Sequence, residues 1–134
     1  MKKVVIAGSA SLQDRVAYWG QFFESRGYTV TASPREIFRE SSLEDYPAIH
    51  TRFYTALNDA DIVFVMNEDE NGISGYLGAE TFAELAYVGA NGLLGKQQTQ
   101  VLLLKMPESR VQSYEEIELW LRLGWVQLLD TVKI

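Results

Sequence analysis

The sequence contains no cysteine, one histidine and three prolines in 134 residues. Without cysteine there are no disulfides, thiolate zinc sites, iron–sulfur ligands or thiol nucleophiles. His50 alone leaves no imidazole cluster for a transition metal, and no metal or other cofactor is expected. Basic residues are scarce: 12 Lys and Arg stand against 18 Asp and Glu, a net charge of −6. That balance argues against nucleic acid as a partner, since a phosphate-backbone binder needs a basic face. No apolar run approaches the roughly 20 residues of a membrane span, so no membrane partner is expected. The apolar stretch after Lys2 and Lys3 is too short for a signal peptide, which makes the cytoplasm the default expectation.

What is present is the composition of a globular chain, 47% hydrophobic and 12% aromatic. The length fits one compact domain spanning residues 1–134, with no repeat, linker or low-complexity tract. The charge is unevenly placed. Between Asn67 and Gly95 stand Glu68, Asp69, Glu70, Glu80 and Glu84, with no Lys or Arg, while the rest of the chain is nearly neutral.

Val4-Val5-Ile6-Ala7 is a continuous apolar run closed by Gly8, the pattern of a strand buried on both faces. Leu12, Val16, Trp19 and Phe23 then recur at helical spacing. Ser11 and Asp14 resemble a capping box, and Gly27 suits a left-handed helix end. Tyr28–Ala32 reads as a second strand, completing a βαβ unit. Pro34–Tyr46 reads as a short helix and loop, and Tyr46–Asn58 as a helix. Asp61–Met66 is the clearest buried strand. Asn67–Gly78 is a loop rich in glycine and acid, and Ala79–Asn91 a helix. Thr99–Lys105 holds another strand, Tyr114–Leu123 a helix, and Trp125–Leu129 a last short strand. Alternating strands and helices predict an α/β sandwich with a mainly parallel, five-stranded sheet. Ligands in such folds bind beyond the carboxyl ends of the strands, where the strand order reverses. The loops Gly8–Ser11 and Asn67–Gly78 leave the sheet there.

On the helix after the acidic loop, Phe82, Leu85, Ala86 and Gly89 form one stripe, expected to be buried. Glu80, Glu84, Tyr87 and Asn91 form another, which begins with two carboxylates one turn apart. This second face reads either as solvated, with Glu80 favouring the helix start, or as a partly covered pair with one raised carboxyl pKa. Gly72, Gly75 and Gly78 allow a close backbone approach to a ligand or simply a long turn. Gly8-Ser9-Ala10-Ser11 offers hydroxyls and N–H groups to a phosphate, or only caps a helix. Glu68-Asp69-Glu70 reads as a solvated loop or as an attractor for a hard cation. His50 reads as a structural or surface histidine. Trp19, Tyr54, Trp120 and Trp125 are candidate interface anchors.

Gly75-Tyr76-Leu77-Gly78-Ala79-Glu80-Thr81-Phe82-Ala83-Glu84 resembles the signature of the nucleoside 2-deoxyribosyltransferase-like family. Gly8-Ser9 after the first strand, Ala60-Asp61 through Asn67, and Gly95-Lys96 before the next strand are similar to family features in the same order. The resemblance implies a flavodoxin-like (Rossmann-like) three-layer fold and a nucleoside or nucleotide as the small-molecule partner. It implies Glu84 as the nucleophile on the anomeric carbon, with Tyr87 one turn on to orient it. Gly8, Ser9, Asn67, Gly75, Gly78 and Glu80 would surround the substrate. It also implies a homo-oligomer. Where better-known transferases carry an aspartate in the preceding helix, Thr51–Tyr54 holds no acid. The expected function is therefore an N-glycosidic enzyme, transferase or hydrolase. The alternative is a nucleotide-binding or sensing module of the same fold that has no turnover.

Overall fold

The computed structural model describes residues 2–35 and 42–134. Five strands alternate with four helices: β1 (Lys3–Gly8), α1 (Gln13–Glu24), β2 (Thr29–Ala32), α2 (Ser42–Asn58), β3 (Ile62–Met66), α3 (Ala79–Leu93), β4 (Gln100–Leu103), α4 (Tyr114–Leu123) and β5 (Gln127–Leu128). A short 3-10 turn, Leu129–Thr131, follows β5. The sheet runs β2-β1-β3-β4-β5, and every neighbouring pair is parallel. This is the flavodoxin-like, three-layer α/β architecture that the pattern predicts, with a parallel sheet throughout.

The continuous apolar runs exist because both faces of the sheet are covered. Val4, Ile6, Ile62, Phe64, Met66 and Leu102 face a layer built from α1, with Val16, Trp19 and Phe23, and from the chain after β5. Val5, Ala7, Val63, Val65, Val101 and Leu103 face the opposite layer, with Leu57, Leu85, Val88 and Ile117 from α2, α3 and α4. The period of two along each strand divides one apolar run between two cores. No described helix is long and apolar enough to cross a membrane.

Several local expectations are corrected. α2 begins at Ser42, one turn before the expected Tyr46, with Glu44 and Asp45 in its first turn and Pro47 inside it. Acids there suit the helix dipole. The remainder of the expected loop, residues 36–41, lies outside the described residues. The Ser11–Asp14 capping box does not form. The N-cap of α1 is Leu12, without a side-chain cap, because the Ser11 hydroxyl is engaged by Ser9 and Glu70. Gly27 does take a positive φ of 87° after α1, where the Tyr28 N–H reaches back to the Phe23 carbonyl over 3.1 Å. The last strand keeps only Gln127–Leu128. The N–H groups of Trp125 and Val126 are spent on the Trp120 carbonyl at the end of α4, so they are lost to the ladder.

α3 is also rotated from its expected setting. Its buried residues are Thr81, Glu84, Leu85 and Val88, in place of Phe82, Ala86 and Gly89 around Leu85. The neighbouring helices explain the shift. Phe82 stacks on Trp120 of α4 with ring centroids 5.3 Å apart, and Tyr87 packs edge-on to Tyr54 of α2 at 5.0 Å. With those two rings turned sideways, the stripe facing the sheet contains a glutamate. Among the aromatics expected at an interface, Trp19 is in the core, and Tyr54 and Trp120 pack between helices. Only Trp125 is exposed, at 41%.

Candidate functional site

The strand order reverses between β1 and β3, and a cleft opens beyond their carboxyl ends. Gly8, Ser9, Met66, Asn67, Glu70, Tyr76, Gly78 and Glu80 are among the residues lining a cavity of about 320 Å³ there. A smaller cavity of about 40 Å³ shares Gly8 and Glu80 with it. Its remaining walls are Pro34, Arg35, Ile49, His50, Phe53 and Glu84. Gly8 is required by close approach: a Cβ there would lie 3.0 Å from the Met66 carbonyl oxygen.

Glu84 is the only charged side chain buried among the described residues, with 6% of its surface exposed. Among the described residues, no hydrogen bond or ion pair holds its carboxyl. Burial, and then the neighbouring Glu80 carboxylate, raise its pKa from 4.5 to about 8. Glu80, one turn earlier, is 65% exposed at its side chain. Of the two readings of this face, the structure realises the partly covered one: Glu84 is buried, while Glu80 stays an exposed first-turn acid.

His50 completes the group. Its Nε2 lies 3.6 Å from Glu80 Oε1, and its side chain is only 15% exposed. One donor atom from each of His50, Glu80 and Glu84 lies within 4.8 Å of the other two. The Tyr46 ring packs over the imidazole, with centroids 3.8 Å apart. The sequence reading of His50 as a structural or surface residue did not foresee this. The available signal was its place on a helical stripe with Ile49 and Phe53, four residues before Tyr54. Burial, and then Glu84, raise the Tyr54 hydroxyl pKa above its usual value.

Tyr87 does not orient Glu84. Its hydroxyl donates to Asn58 Oδ1 at 2.7 Å, and Asn91 donates to the same oxygen at 3.1 Å. Asn67 lines the cleft, but its side chain braces backbone. Its Nδ2 donates to the Lys105 carbonyl at 2.7 Å and to the Gly75 carbonyl at 3.3 Å. Its Oδ1 accepts from Leu104 N at 3.0 Å and Lys105 N at 3.3 Å. Gly75 belongs to the same brace and not to the cleft lining. It has a φ of 65°, and a Cβ would meet Pro107 Cα at 2.8 Å. Gly78 lines the cleft as the N-cap of α3, with an ordinary φ of −81°.

The acidic run lies in a surface loop, with Asp69 exposed and Glu68 and Glu70 half-buried, and its carboxyls are held one by one. Glu68 accepts from Arg15 Nε at 2.7 Å and from the Trp19 indole N–H at 2.8 Å. Asp69 accepts from Lys105 Nζ and from Gly75 N, each at 3.0 Å. The Lys105 hydrogen bond comes first among the causes that hold its carboxyl below the usual range. Glu70 accepts from both Ser9 Oγ, at 3.1 Å, and Ser11 Oγ, at 3.2 Å. The three acids point to three different places. Asn71 and Gly72, with φ of 56° and 73°, make the tight turn between Glu70 and Ile73.

The fold and cleft define a flavodoxin-like α/β protein with a ligand-sized opening at its switch point. No protein-family model and no curated protein sequence matches the chain.

Proposed function

We propose that the protein cleaves or transfers N-glycosidic bonds of a nucleoside or nucleotide, with Glu84 as nucleophile. The observation that carries this reading is the placement of Glu84: a buried carboxyl, unpartnered among the described residues, in the wall of the small cavity that adjoins the switch-point cleft and shares Gly8 and Glu80 with it. In its ionised form an oxygen of Glu84 attacks the anomeric carbon. The bond from that carbon to the base nitrogen breaks, and the base leaves with the bonding electrons and takes up a proton. A second base or water then displaces the glutamate from the sugar. Two inversions give net retention. The positive charge developing on the sugar is stabilised by Glu80, whose carboxylate stands one turn away. The 320 Å³ cavity provides the room for a ligand of this class. The proposal includes cytoplasmic residence and a homo-oligomer, the latter supported by exposed Leu119, Leu123 and Trp125 on and after α4.

Incubation with a panel of nucleosides and nucleoside monophosphates, followed by chromatography, is expected to yield free base. No free base from any member of the panel overturns the reading. The pH dependence supplies a second check. The nucleophile is the carboxylate, so kcat/KM rises as pH passes through about 8, where Glu84 loses its proton. Glu80→Gln removes the second cause of that elevated pKa, and the rising limb moves to lower pH. An unmoved limb contradicts the pairing of the two acids.

One observation favours the second reading, a binding module without turnover. At neutral pH the Glu84 carboxyl is mostly protonated. A nucleotide that raises Tm and is recovered intact would support that reading.

A further inference from the structure

We propose that His50, Glu80 and Glu84 form a binding site for a divalent first-row transition-metal ion. The site goes beyond the glycosidic reading and does not depend on it. Glu80 and Glu84 are at i and i+4 of α3, and His50 faces them from α2, an arrangement that helical proteins use to build metal centres between packed helices. The three donor atoms already lie within 4.8 Å of one another. Metal–ligand distances of about 2.0–2.2 Å require donors about 3–3.5 Å apart. The 3.6 Å separation of His50 Nε2 and Glu80 Oε1 is close to that.

Two of the three ligands are held in place before any ion arrives. Glu84 is 94% removed from solvent and has no hydrogen-bond or ion-pair partner among the described residues, a costly state for a carboxyl unless a cation or donor meets it. The Tyr46 ring fixes the plane of His50. Glu80 is exposed and swings with little resistance to close the triangle. The small cavity they line, about 40 Å³, is near the share of one water molecule, about 30 Å³. It suits an ion with a bound water, while the body of a nucleoside needs the larger adjoining cavity. Arg35 lines the same cavity, and its single charge does not outweigh the two carboxylates once both are ionised. One imidazole nitrogen with two carboxylate oxygens selects ions such as Zn²⁺, Mn²⁺, Fe²⁺ or Co²⁺ over Mg²⁺ and Ca²⁺. A metal here and a sugar in the adjoining cavity compete for Glu84.

The test uses the full chain, stripped with chelator and titrated with Zn²⁺, Co²⁺ or Mg²⁺ alone. Calorimetry is expected to show one Zn²⁺ or Co²⁺ per chain. A hundredfold excess over Kd should raise Tm by several degrees, reversibly with chelator, while Mg²⁺ does neither. His50→Ala, Glu84→Gln and Glu80→Gln each weaken Zn²⁺ binding at least tenfold. Glu80 is exposed, so its variant stays folded whatever the other two do. Absence of saturable Zn²⁺ or Co²⁺ binding overturns the proposal. So does Zn²⁺ affinity unchanged in both His50→Ala and Glu80→Gln, or an equal response to Mg²⁺. No arm requires a substrate, so loss of the glycosidic reading leaves this result standing, and the reverse also holds.

Discussion

Glu84→Gln is expected to abolish base release and to make the protein more stable at alkaline pH. The amide has nearly the same shape but cannot attack carbon, so kcat/KM falls on the order of a thousandfold or more. The stability change follows from linkage. The unfolded carboxyl titrates near 4.5 and the folded one near 8. Between those values the folded protein holds a proton that the unfolded chain has released, so stability declines as pH rises. It is full below about 4.5 and has lost its whole contribution above about 8. Glutamine has no such loss. In chelator-treated protein the variant should gain on the wild type steadily across this window, by on the order of 4 kcal/mol at pH 9. Asp69 and Glu108, whose folded pKa values are lowered, contribute stability that is lost only as pH falls. Their contribution changes below the window from pH 5 to pH 9, across which Glu84 is compared with glutamine. Urea unfolding of both proteins at those two pH values is the measurement. Parallel pH dependence in wild type and variant would show that Glu84 is not held in a protonated, buried state.

Asn67→Ala is the second large effect. Asn67 is 1% exposed and ties β3 to the backbone at Gly75, Leu104 and Lys105 through both ends of its amide. Removing it strands the Gly75 and Lys105 carbonyls and the Lys105 N–H. The expected loss is about 3 kcal/mol, read as a fall of about 1.5 M in the urea midpoint. Asn67→Asp separates hydrogen bonding from shape. The side chain is nearly isosteric, yet an ionised carboxylate has nothing to donate to two carbonyl groups. At pH 7 it should be at least as damaging as alanine. An aspartate variant of full stability would refute the bracing role.

These two residues also show what the sequence made legible. The strands were readable because a fully covered parallel sheet needs uninterrupted apolar runs, and Val4–Ala7 and Ile62–Met66 have them. Glu84 was readable from its motif and its spacing from Glu80. Its burial was not, because the rotation of α3 depends on how Phe82 meets Trp120 and Tyr87 meets Tyr54, contacts made across different helices. Asn67 was readable as a residue at the end of a strand and not as a brace, since its partners lie up to 38 positions away. His50 was set aside as a lone imidazole. Its companions are carboxylates 30 and 34 positions later, and nothing local announces them. The partners of the acidic run were hidden for a similar reason: each of Glu68, Asp69 and Glu70 is neutralised or hydrogen-bonded by a distant residue.

The order of the strands has a consequence for how the protein behaves in a crowded solution. β1 and β3, with their unbroken apolar runs, are the segments most capable of seeding ordered aggregates. Both lie inside the sheet with a neighbour on each side. The two edges are β2, four residues long, and β5, two residues long. An incoming chain finds little ladder to extend at either rim. Protection against fibre growth therefore rests on keeping the sheet intact, and unfolding, rather than the native surface, is the step that exposes sticky strands.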